Sequence, residues 1–438
     1  MDGSWLIIVI FLILLVIKLP VPIAVGIACA YGLATAGVNA QLIVSSSVKT
    51  LNSFTLLAVP FFILAGNIMT RGSIAAKLLN VAKAFFGDRK DAIAISTIVA
   101  CAFFAALSGS ATATVAALGP LCIPMMTDEG YSTPYACAII ASGAIVGPII
   151  PPSIIMCVYG VQTNTSISNL FTAGFIPGIL LSISMVIALE ITKNKHNNID
   201  FNKKSTLVAA HKGRYTAKEK LAVLWDSKWS LLMPVIVLGG IYAGIVTPSE
   251  AAVVSCVYVL IISFFVSRDM TIKDVLDAFR VTVSTMGGLM ILLGLSTVFG
   301  NVLTLNMIPQ KVCSGILGLT TNPILIMLAI NVILLIAGCF MEACACIVIF
   351  TPIMLPLAQQ CGITPLQFGI IMCVNLVIGT LTPPFGLDLY MASAITGEPV
   401  FRIAKKAIPF MVSTIIVLLI ITYIPAIIDF LPRILGRI

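Results

Sequence analysis

The chain has 438 residues, of which 59% are apolar and 10% charged, and its mean hydropathy is +1.12. Soluble domains are about half apolar and about a quarter charged, so this composition excludes a soluble domain. The 25 Lys and Arg residues outnumber the 17 Asp and Glu residues, which gives a net charge of +8. We therefore predict a protein that crosses a membrane many times.

Ten apolar segments are candidate membrane spans. The first, within MDGSWLIIVIFLILL, has no basic start and no small-residue cleavage site, which indicates an uncleaved span rather than a signal peptide. The predicted spans are 5–17, 20–37, 54–70, 134–160, 169–192, 229–246, 249–266, 282–305, 365–395 and 407–430. The amphipathic segments 72–86 and 271–279 are predicted to lie in the membrane interface. The twelve cysteines, almost all in apolar runs, are predicted to be buried thiols.

Two further segments, 94–127 and 323–358, differ from simple spans. Each has room for two half-length helices that meet at a small-residue or polar tip, SGSAT at 108–112 and MEACA at 341–345. We predict that both are re-entrant hairpins. Such backbone is tolerated at mid-membrane depth only where protein or a watery cavity covers it.

The stretch 120–152 recurs without a gap at 352–384, with Gly or Pro matched at six positions. Each copy contains an apolar helix interrupted by Gly-x-x-x-Pro-Pro, which is GPIIPP at 147–152 and GTLTPP at 379–384. Paired interruptions in corresponding halves mark the binding site of secondary transporters. The sequence therefore predicts two copies of one membrane unit.

The distribution of basic residues predicts the topology, because cytoplasmic loops collect Lys and Arg. With the N-terminus outside, one face receives 21 of the 25 basic residues, nine of them in the linker 193–228. That polar linker also contains the only two histidines, His196 and His211. On this path both termini lie outside and the two hairpins open to opposite faces, so the repeats are inverted.

The first hairpin tip carries four hydroxyl groups and a flexible backbone, at Ser108, Gly109, Ser110, Thr112 and Thr114. Hydroxyls and freed carbonyls suit a sodium ion, and helix N-termini suit an anionic substrate group. The alternative is that these small residues serve only tight helix packing.

The two helix breaks are the second group of candidates, because proline leaves an upstream carbonyl without its intrahelical partner. The alternative is a plain proline kink. The candidate residues at the breaks are Gly147, Pro151, Ser153, Gly379, Thr380, Thr382 and Pro383.

Two acidic residues are predicted within the membrane, where acids are functional candidates. Glu342 corresponds to Ser110 when the two copies are aligned, and Asp388 follows the second break by one helical turn. The alternatives are a buried structural hydrogen bond for Glu342 and exposure to an aqueous exit for Asp388. Glu250 is different, because Thr247 and Glu250 form a capping box, which favours a structural role.

Neither 92–191 nor 313–400 contains a Lys or Arg. A carboxylate substrate would therefore be met by helix N-termini, hydroxyls and a co-bound cation, which favours coupling to sodium. An intramembrane hydrolase that uses Ser108 or Ser110 would need a base, and no His or Lys is available near the tip.

Several strings together resemble the large membrane subunit of the tripartite ATP-independent periplasmic (TRAP) transporters, over essentially the whole chain. They are FFAALSGSATATVAALGPLCIPMM at 103–126, GYSTPYACAIIASGAIVGPIIPPSIIMCVYG at 130–160, LFTAGFIPGIL at 170–180, GIVTPSEAA at 244–252 and IGTLTPPFGLDLY at 378–390. The resemblance implies an all-α, multi-pass protein of the bacterial inner membrane, with inverted repeats and an elevator motion. It implies import of an organic acid, such as a C4-dicarboxylate, a sialic acid or a sugar acid, driven by sodium.

The resemblance also implies partners and site residues. The partners are a small four-helix membrane subunit and a soluble periplasmic substrate-binding protein, and no organic cofactor is implied. One sodium site would involve 108–112 and 147–153, and the other would involve Glu342 and 379–384. The substrate would lie between them, at Ser108, Gly109, Ser110, Thr112, Ser153, Thr382 and Asp388.

In the terms of that family the chain divides into six parts. Scaffold helices with an interfacial arm occupy 1–90 and 229–311, moving transport parts occupy 91–192 and 312–401, the linker is 193–228, and a C-terminal scaffold helix is 402–438. With no small-subunit segment before Met1, the unfused form is expected. The alternatives are a stand-alone divalent-anion/sodium symporter of related fold and, behind it, a channel with paired re-entrant loops.

Overall fold

The computed structural model describes residues 5–17, 19–36, 40–86, 92–193, 215–383 and 386–437. This part of the chain forms helices and short connections, which confirms the predicted all-α class. Six of the described helices are long and apolar enough to cross a membrane, and two bent helix pairs raise the number to eight. The predicted linker residues His196 and His211, and Pro384 of the second break, lie outside the described residues.

The described part of the first half contains ten α-helices and a 3-10 turn at Phe54–Leu57. The helices are α1 Trp5–Val16, α2 Val21–Ala36, α3 Ala40–Leu51, α4 Ala58–Met69, α5 Ile74–Phe86, α6 Ala92–Ser108, α7 Ala111–Asp128, α8 Thr133–Ala144, α9 Ile154–Thr163 and α10 Ile167–Thr192.

Among the residues described in the second half, there are eleven α-helices and a π-helical turn at Ile262–Ser267. They are α11 Ala217–Asp226, α12 Lys228–Tyr242, α13 Pro248–Ile261, α14 Ile272–Leu305, α15 Ile308–Leu319, α16 Pro323–Phe340, α17 Ala343–Gln360, α18 Pro365–Gly379, α19 Leu387–Thr396, α20 Val400–Tyr423 and α21 Ala426–Ile434.

The helix boundaries repeat in the same alignment as the two sequence copies, 120–152 and 352–384. In that alignment α7 and α17 begin and end at equivalent positions, and α6 and α16 end at equivalent positions. Helices α8 and α18 also start at equivalent positions, and each is followed by a break and then by a ten-residue helix, α9 or α19. The two halves therefore contain the same series of a helical hairpin and a broken helix.

Helices meet at both predicted tips and pack against each other as hairpins, but they are longer than the predicted half-length, and their re-entry on one membrane face stays a prediction. Helix α6 has 17 residues, and α7, α16 and α17 have 18 each, or about 27 Å at 1.5 Å per residue. Two-residue tips join them, at 109–110 and 341–342. The helices extend to the tips because capping residues, Ser110 and Glu342, begin the second helix of each hairpin.

Four predicted boundaries differ from the structure. Part of the predicted linker is helix α11, which begins with a capping box between Thr216 and Glu219. The predicted interfacial segment 271–279 belongs to the continuous 34-residue helix α14, which starts at the Thr271 and Asp274 capping box. The predicted boundary at 311/312 falls inside α15, and the predicted single C-terminal helix is divided into α20 and α21.

The capping interpretation of Glu250 is confirmed. Its Oε2 accepts hydrogen bonds from the Thr247 backbone N–H at 2.8 Å and from the Thr247 hydroxyl at 2.9 Å. The Glu250 backbone N–H donates in turn to Thr247 Oγ1 at 3.3 Å. Glu250 therefore fixes the start of α13 and does not line the cavity described below.

Candidate functional site

One cavity, here called the main cavity, is lined by both hairpin tips and has a volume of about 620 Å³. The first hairpin contributes Ser108 to Ala113, and the second contributes Glu342 to Ala345. Helices α9 and α19, which follow the two breaks, contribute their first residues to the same walls, and α4 and α14 close the other side. The two tips, one from each half of the chain, thus meet at one site.

The first tip is held by a network of hydroxyl groups. Ser110 is the N-cap of α7, where its Oγ accepts a hydrogen bond from the Ala113 N–H at 3.4 Å, and it lies 3.1 Å from Thr112 Oγ1. The Ser110 carbonyl accepts hydrogen bonds from Thr114 Oγ1 at 2.8 Å and from Ser108 Oγ at 3.3 Å. The tip therefore presents several oxygen atoms within a few ångströms of one another.

Gly109 allows this tip to approach the first break. Its φ is +64°, in the left-handed region, and a Cβ there would lie 3.1 Å from Ile154 Cγ1 and 3.3 Å from the Pro152 carbonyl oxygen. Gly66 of α4 supports the tip from the other side, because a Cβ there would lie 3.0 Å from the Ser108 carbonyl oxygen. Glycine is needed at 109 both for its backbone conformation and for this close contact.

The second tip places a carboxylate at the equivalent position. Glu342 is the N-cap of α17, and its Oε2 accepts a hydrogen bond from the Ala345 N–H at 3.3 Å. Its side chain is exposed at the main cavity. The predicted equivalence of Ser110 and Glu342 is therefore reproduced in the structure, with a neutral cap on one tip and an acidic cap on the other.

The first break packs tightly against its own hairpin. A Cβ on Gly147 would overlap the Cβ of Ala105 in α6. Ser153, the N-cap of α9, donates a hydrogen bond to the Pro148 carbonyl and accepts one from the Met156 N–H at 3.3 Å. Ser153 thus satisfies a backbone carbonyl within the break, and neither it nor Gly147 or Pro151 lines the main cavity.

The second break is built in the same way. A Cβ on Gly379 would lie 2.6 Å from the Gly338 Cα in α16. Thr380 Oγ1 lies 2.8 Å from Asp388 Oδ2, and both residues are buried and line the main cavity. Thr382 Oγ1 donates to the Ile378 carbonyl at 2.9 Å. Thr382, Gly379 and Pro383 are not among the residues that line the main cavity.

Asp388 carries an unused oxygen atom. The residue is fully buried, and within the described part of the chain its Oδ1 has no hydrogen-bond partner. A buried carboxylate oxygen without a partner is costly, because a charge removed from water needs a compensating group. The arrangement fits a cation held between this oxygen and the other oxygen atoms of the cavity.

Four helix N-termini converge on the main cavity. Helices α7, α9, α17 and α19 each contribute their first residues to its lining. A helix N-terminus carries a partial positive charge and unpaired backbone N–H groups, so it stabilises an anion. No Lys or Arg is among the lining residues that the structure describes, and these helix ends are the positive elements of the site.

Helices α4 and α14 add wall residues that the sequence interpretation missed. Asn67 of α4 lines the cavity, and its Nδ2 donates to Thr282 Oγ1 of α14 at 2.9 Å. The sequence could have indicated Asn67, because it is the single carboxamide in the apolar span 54–70. Thr285 and Gly288 of α14 also line the cavity, and nothing in their local sequence distinguishes them.

Paired hairpins and broken helices around a shared cavity define the class of secondary transporters. A family model described as "Tripartite ATP-independent periplasmic transporter, DctM component" matches residues 8–427. The chain belongs to this TRAP transporter family, as its large permease component. It is accordingly a multi-pass transporter permease rather than an enzyme.

Three proteins illustrate the similarity. The C4-dicarboxylate TRAP transporter large permease protein DctM of Pseudomonas aeruginosa is 40% identical over 392 residues, 89% of this chain and 88% of that protein. The sialic acid TRAP transporter large permease protein SiaM of Vibrio cholerae is 33% identical over 407 residues, 93% of each. The isethionate TRAP transporter permease protein DctMQ of Oleidesulfovibrio alaskensis is 40% identical over 395 residues, 90% of this chain, which spans 61% of that protein's length.

A solved structure shows the same fold at low sequence identity. The YdaH transporter of Alcanivorax borkumensis superposes with a TM-score of 0.58 at 14% identity, covering 87% of each chain. At this identity the likeness concerns the fold alone.

Proposed function

We propose that the chain imports an organic acid across the bacterial inner membrane, driven by a sodium gradient. The observation that carries the proposal is the main cavity itself, where four helix N-termini face the carboxylates of Glu342 and Asp388. The helix ends favour an anionic substrate group, and the carboxylates favour a cation. A site with both features binds an anion and a cation better together than separately.

The predicted sodium sites follow from this arrangement. One ion binds at the first tip, among the oxygen atoms of Ser108, Ser110 and Thr112. The other binds at the second tip, where Glu342 and the unpartnered Oδ1 of Asp388 supply the negative charge. The breaks at 147–153 and 379–383 set the positions of the tips through glycine contacts with α6 and α16. The substrate anion lies between the ions, near Gly109.

The relatives support an acid as the substrate class. Their names specify C4-dicarboxylate, sialic acid and isethionate, all of which are anions at neutral pH. Sodium bound beside such a substrate would offset its negative charge, because no guanidinium or ammonium group lines the described cavity.

The partners and the motion are part of the same proposal. We assign the chain a separate small membrane subunit and a periplasmic substrate-binding protein that delivers the acid, as the tripartite family description supports. The repeated hairpin and break units have inverted orientation, and they move together as an elevator against helices such as α4 and α14.

The test is uptake into proteoliposomes that contain this chain and the small subunit, with the binding protein added outside. Labelled C4-dicarboxylate, sialic acid, sugar acid and isethionate are compared under an inward sodium gradient and with choline in place of sodium. We expect uptake of one acid only with both sodium and the binding protein. Equal uptake in choline would refute sodium coupling, and full uptake without the binding protein would favour a stand-alone symporter.

A further inference from the structure

A second cavity of about 350 Å³ lies between α9, α14 and α17, with Thr50 of α3 at its edge. Nine of its fourteen described lining residues are polar, and none of the fourteen is charged. The polar residues are four carboxamides, Gln162, Asn164, Asn301 and Gln359, and five threonines. So many polar side chains around one space in a membrane protein indicate a path for water or an ion.

The helix ends around this second cavity have the opposite polarity to those around the main cavity. Helices α9 and α17 begin at the main cavity and end at the second one, where Asn164 is the C-cap of α9 and Gln359 is the penultimate residue of α17. Thr304, the penultimate residue of α14, lies there as well. Three helix C-termini therefore converge, and their partial negative charges favour a cation.

Helix α17 adds proline-freed backbone to the same wall. Pro352 and Pro356 both line the second cavity, and each proline removes the intrahelical partner of the carbonyl four residues earlier. Of the two freed carbonyls, one belongs to the lining residue Pro352, whereas the other belongs to Val348, which is buried and does not line the cavity. Amide, hydroxyl and carbonyl oxygens without a full negative charge are ligands of hard cations.

A buried layer separates the two cavities. Along α14, Gly288 at the main cavity is exposed, Ser296 is buried and lines neither cavity, and Thr304 at the second cavity is exposed again. Gly288 at the main cavity and Gly300 at the second one are about 18 Å apart along the helix at 1.5 Å per residue. The two cavities thus lie at different levels of α14, with buried residues between them.

The basic residues of α14 indicate which of the two cavities faces the outside. Lys273 and Arg280 are near its N-terminus, which the charge distribution assigns to the cytoplasm. The second cavity, at the C-terminal end of α14, then faces the outside, where sodium is abundant when its gradient points inward.

We propose that the second cavity is a transit site for sodium, which binds there with part of its water before it reaches the main cavity. This inference rests on the proposed sodium coupling. It assigns a role to residues that neither hairpin tip nor helix break contains.

The test compares two adjacent glutamines at the end of α17. Gln359 and Gln360 are both exposed, but only Gln359 lines the second cavity. In sodium-driven uptake, Gln359→Leu should raise the half-saturating external sodium concentration about fivefold, because one ligand of a charged group is lost. Gln360→Leu should leave it unchanged. Gln359→Glu should lower it, because a full negative charge replaces a neutral amide.

Sodium bound to the purified chain in lipid nanodiscs is the second readout, measured with radioactive sodium. Equal half-saturation in wild type and Gln359→Leu, or the same shift in Gln360→Leu, would overturn the transit site while leaving sodium coupling intact. If wild-type uptake is independent of sodium, the proposed function fails. The sodium-binding measurement then tests the second cavity independently of transport. In that case, binding reduced by Gln359→Leu but not by Gln360→Leu supports the site, and identical binding overturns it.

Discussion

The hydroxyl of Thr380 lies 2.8 Å from Asp388 Oδ2, across the break between α18 and α19. The Asp388 backbone N–H also donates to the Thr380 carbonyl at 3.3 Å. These two contacts hold the start of α19 against the end of α18, and within the described part of the chain the other carboxylate oxygen, Oδ1, has no hydrogen-bond partner. Thr380 helps to fix the geometry of the break, and Asp388 supplies the negative charge.

The first prediction concerns Asp388→Asn. The amide oxygen of the new side chain still accepts the hydrogen bond from Thr380, but the substitution removes the negative charge. The sodium-dependent uptake rate should therefore fall by about tenfold or more, which corresponds to about 1.4 kcal/mol. The melting temperature of the purified protein should stay the same or rise, because no buried charge remains. Uptake equal to wild type would contradict the assigned role.

A companion substitution, Thr380→Val, separates the two contributions. It leaves both carboxylate oxygens of Asp388 without a side-chain donor, so it should destabilise the protein by about 1–3 kcal/mol. Thr380→Ser keeps the hydroxyl and serves as the control. A Thr380→Val protein as stable as Thr380→Ser would show that the hydrogen bond does not hold the break.

The second prediction concerns the first tip. Ser110→Ala removes an N-cap and should cost about 1 kcal/mol of stability. Ser166→Ala is the matched control, because Ser166 caps α10 through the Asn169 N–H at 3.4 Å and does not line the main cavity. Both should lower the melting temperature, whereas only Ser110→Ala, alone or with Ser108→Ala, should weaken sodium dependence and transport. Equal transport by the two variants would remove Ser110 from the site.

The third prediction concerns the acidic cap. Glu342→Asp keeps the charge at the second tip, and Glu342→Gln removes it while keeping a similar shape. We expect Glu342→Gln to raise the half-saturating sodium concentration by about tenfold and Glu342→Asp to change it much less, because a carboxylate binds a hard cation more strongly than an amide. Sodium titrations of uptake by the two variants measure the difference. The same shift in both would point to a packing effect instead.

The fourth prediction concerns glycine at the breaks. A Cβ on Gly379 would lie 2.6 Å from the backbone of Gly338, so Gly379→Ala should force α16 and α18 apart and cost about 1–3 kcal/mol. Gly287→Ala is the control, because nothing lies within 4 Å of a Cβ at that helical position. Thermal unfolding in detergent should show a loss for Gly379→Ala and none for Gly287→Ala.

The fifth prediction tests the orientation of the two halves. A cysteine in the 196–215 linker, or at Lys218 of α11, should react with a membrane-impermeant thiol reagent only from the cytoplasmic side. A cysteine at Gln360, at the open end of the second hairpin, should react only from outside. The native cysteines of the described chain are buried except for the partly exposed Cys361, so the wild type gives the background. Labelling of all three positions from one side would overturn the inverted arrangement.

Much of the fold could be predicted because strong local signals mark it. Helix α10 was predicted at 169–192 and is observed at Ile167–Thr192. The tips and breaks were located because glycine, proline and capping residues act over a few positions. Errors arose where apolar composition was used without these signals. The cap at Thr271 would have shown that the segment 271–279 begins a long helix.

The candidate site was predicted only in part, because its geometry depends on contacts between distant segments. Ser110, Glu342 and Asp388 were predicted at one shared site, and the structure places all three in one cavity. Asn67 and the α14 residues were missed, since nothing in a single sequence indicates that α14 lies across the cavity from both tips. The hydrogen bonds of the Ser153 and Thr382 hydroxyls could not be predicted either, because each hydroxyl donates to a nearby backbone carbonyl of its own break.

The two N-caps at equivalent positions, Ser110 and Glu342, show that the two halves of the chain contribute different chemical groups to the main cavity. Both carboxylates of the main cavity come from the second half, and Met156 occupies the position in the first half that corresponds to Asp388. A protein assembled from two identical first halves would enclose a neutral chamber, and one assembled from two second halves would enclose four acids. The negative charge of this chamber therefore comes from the second half, while the first half contributes neutral oxygen atoms.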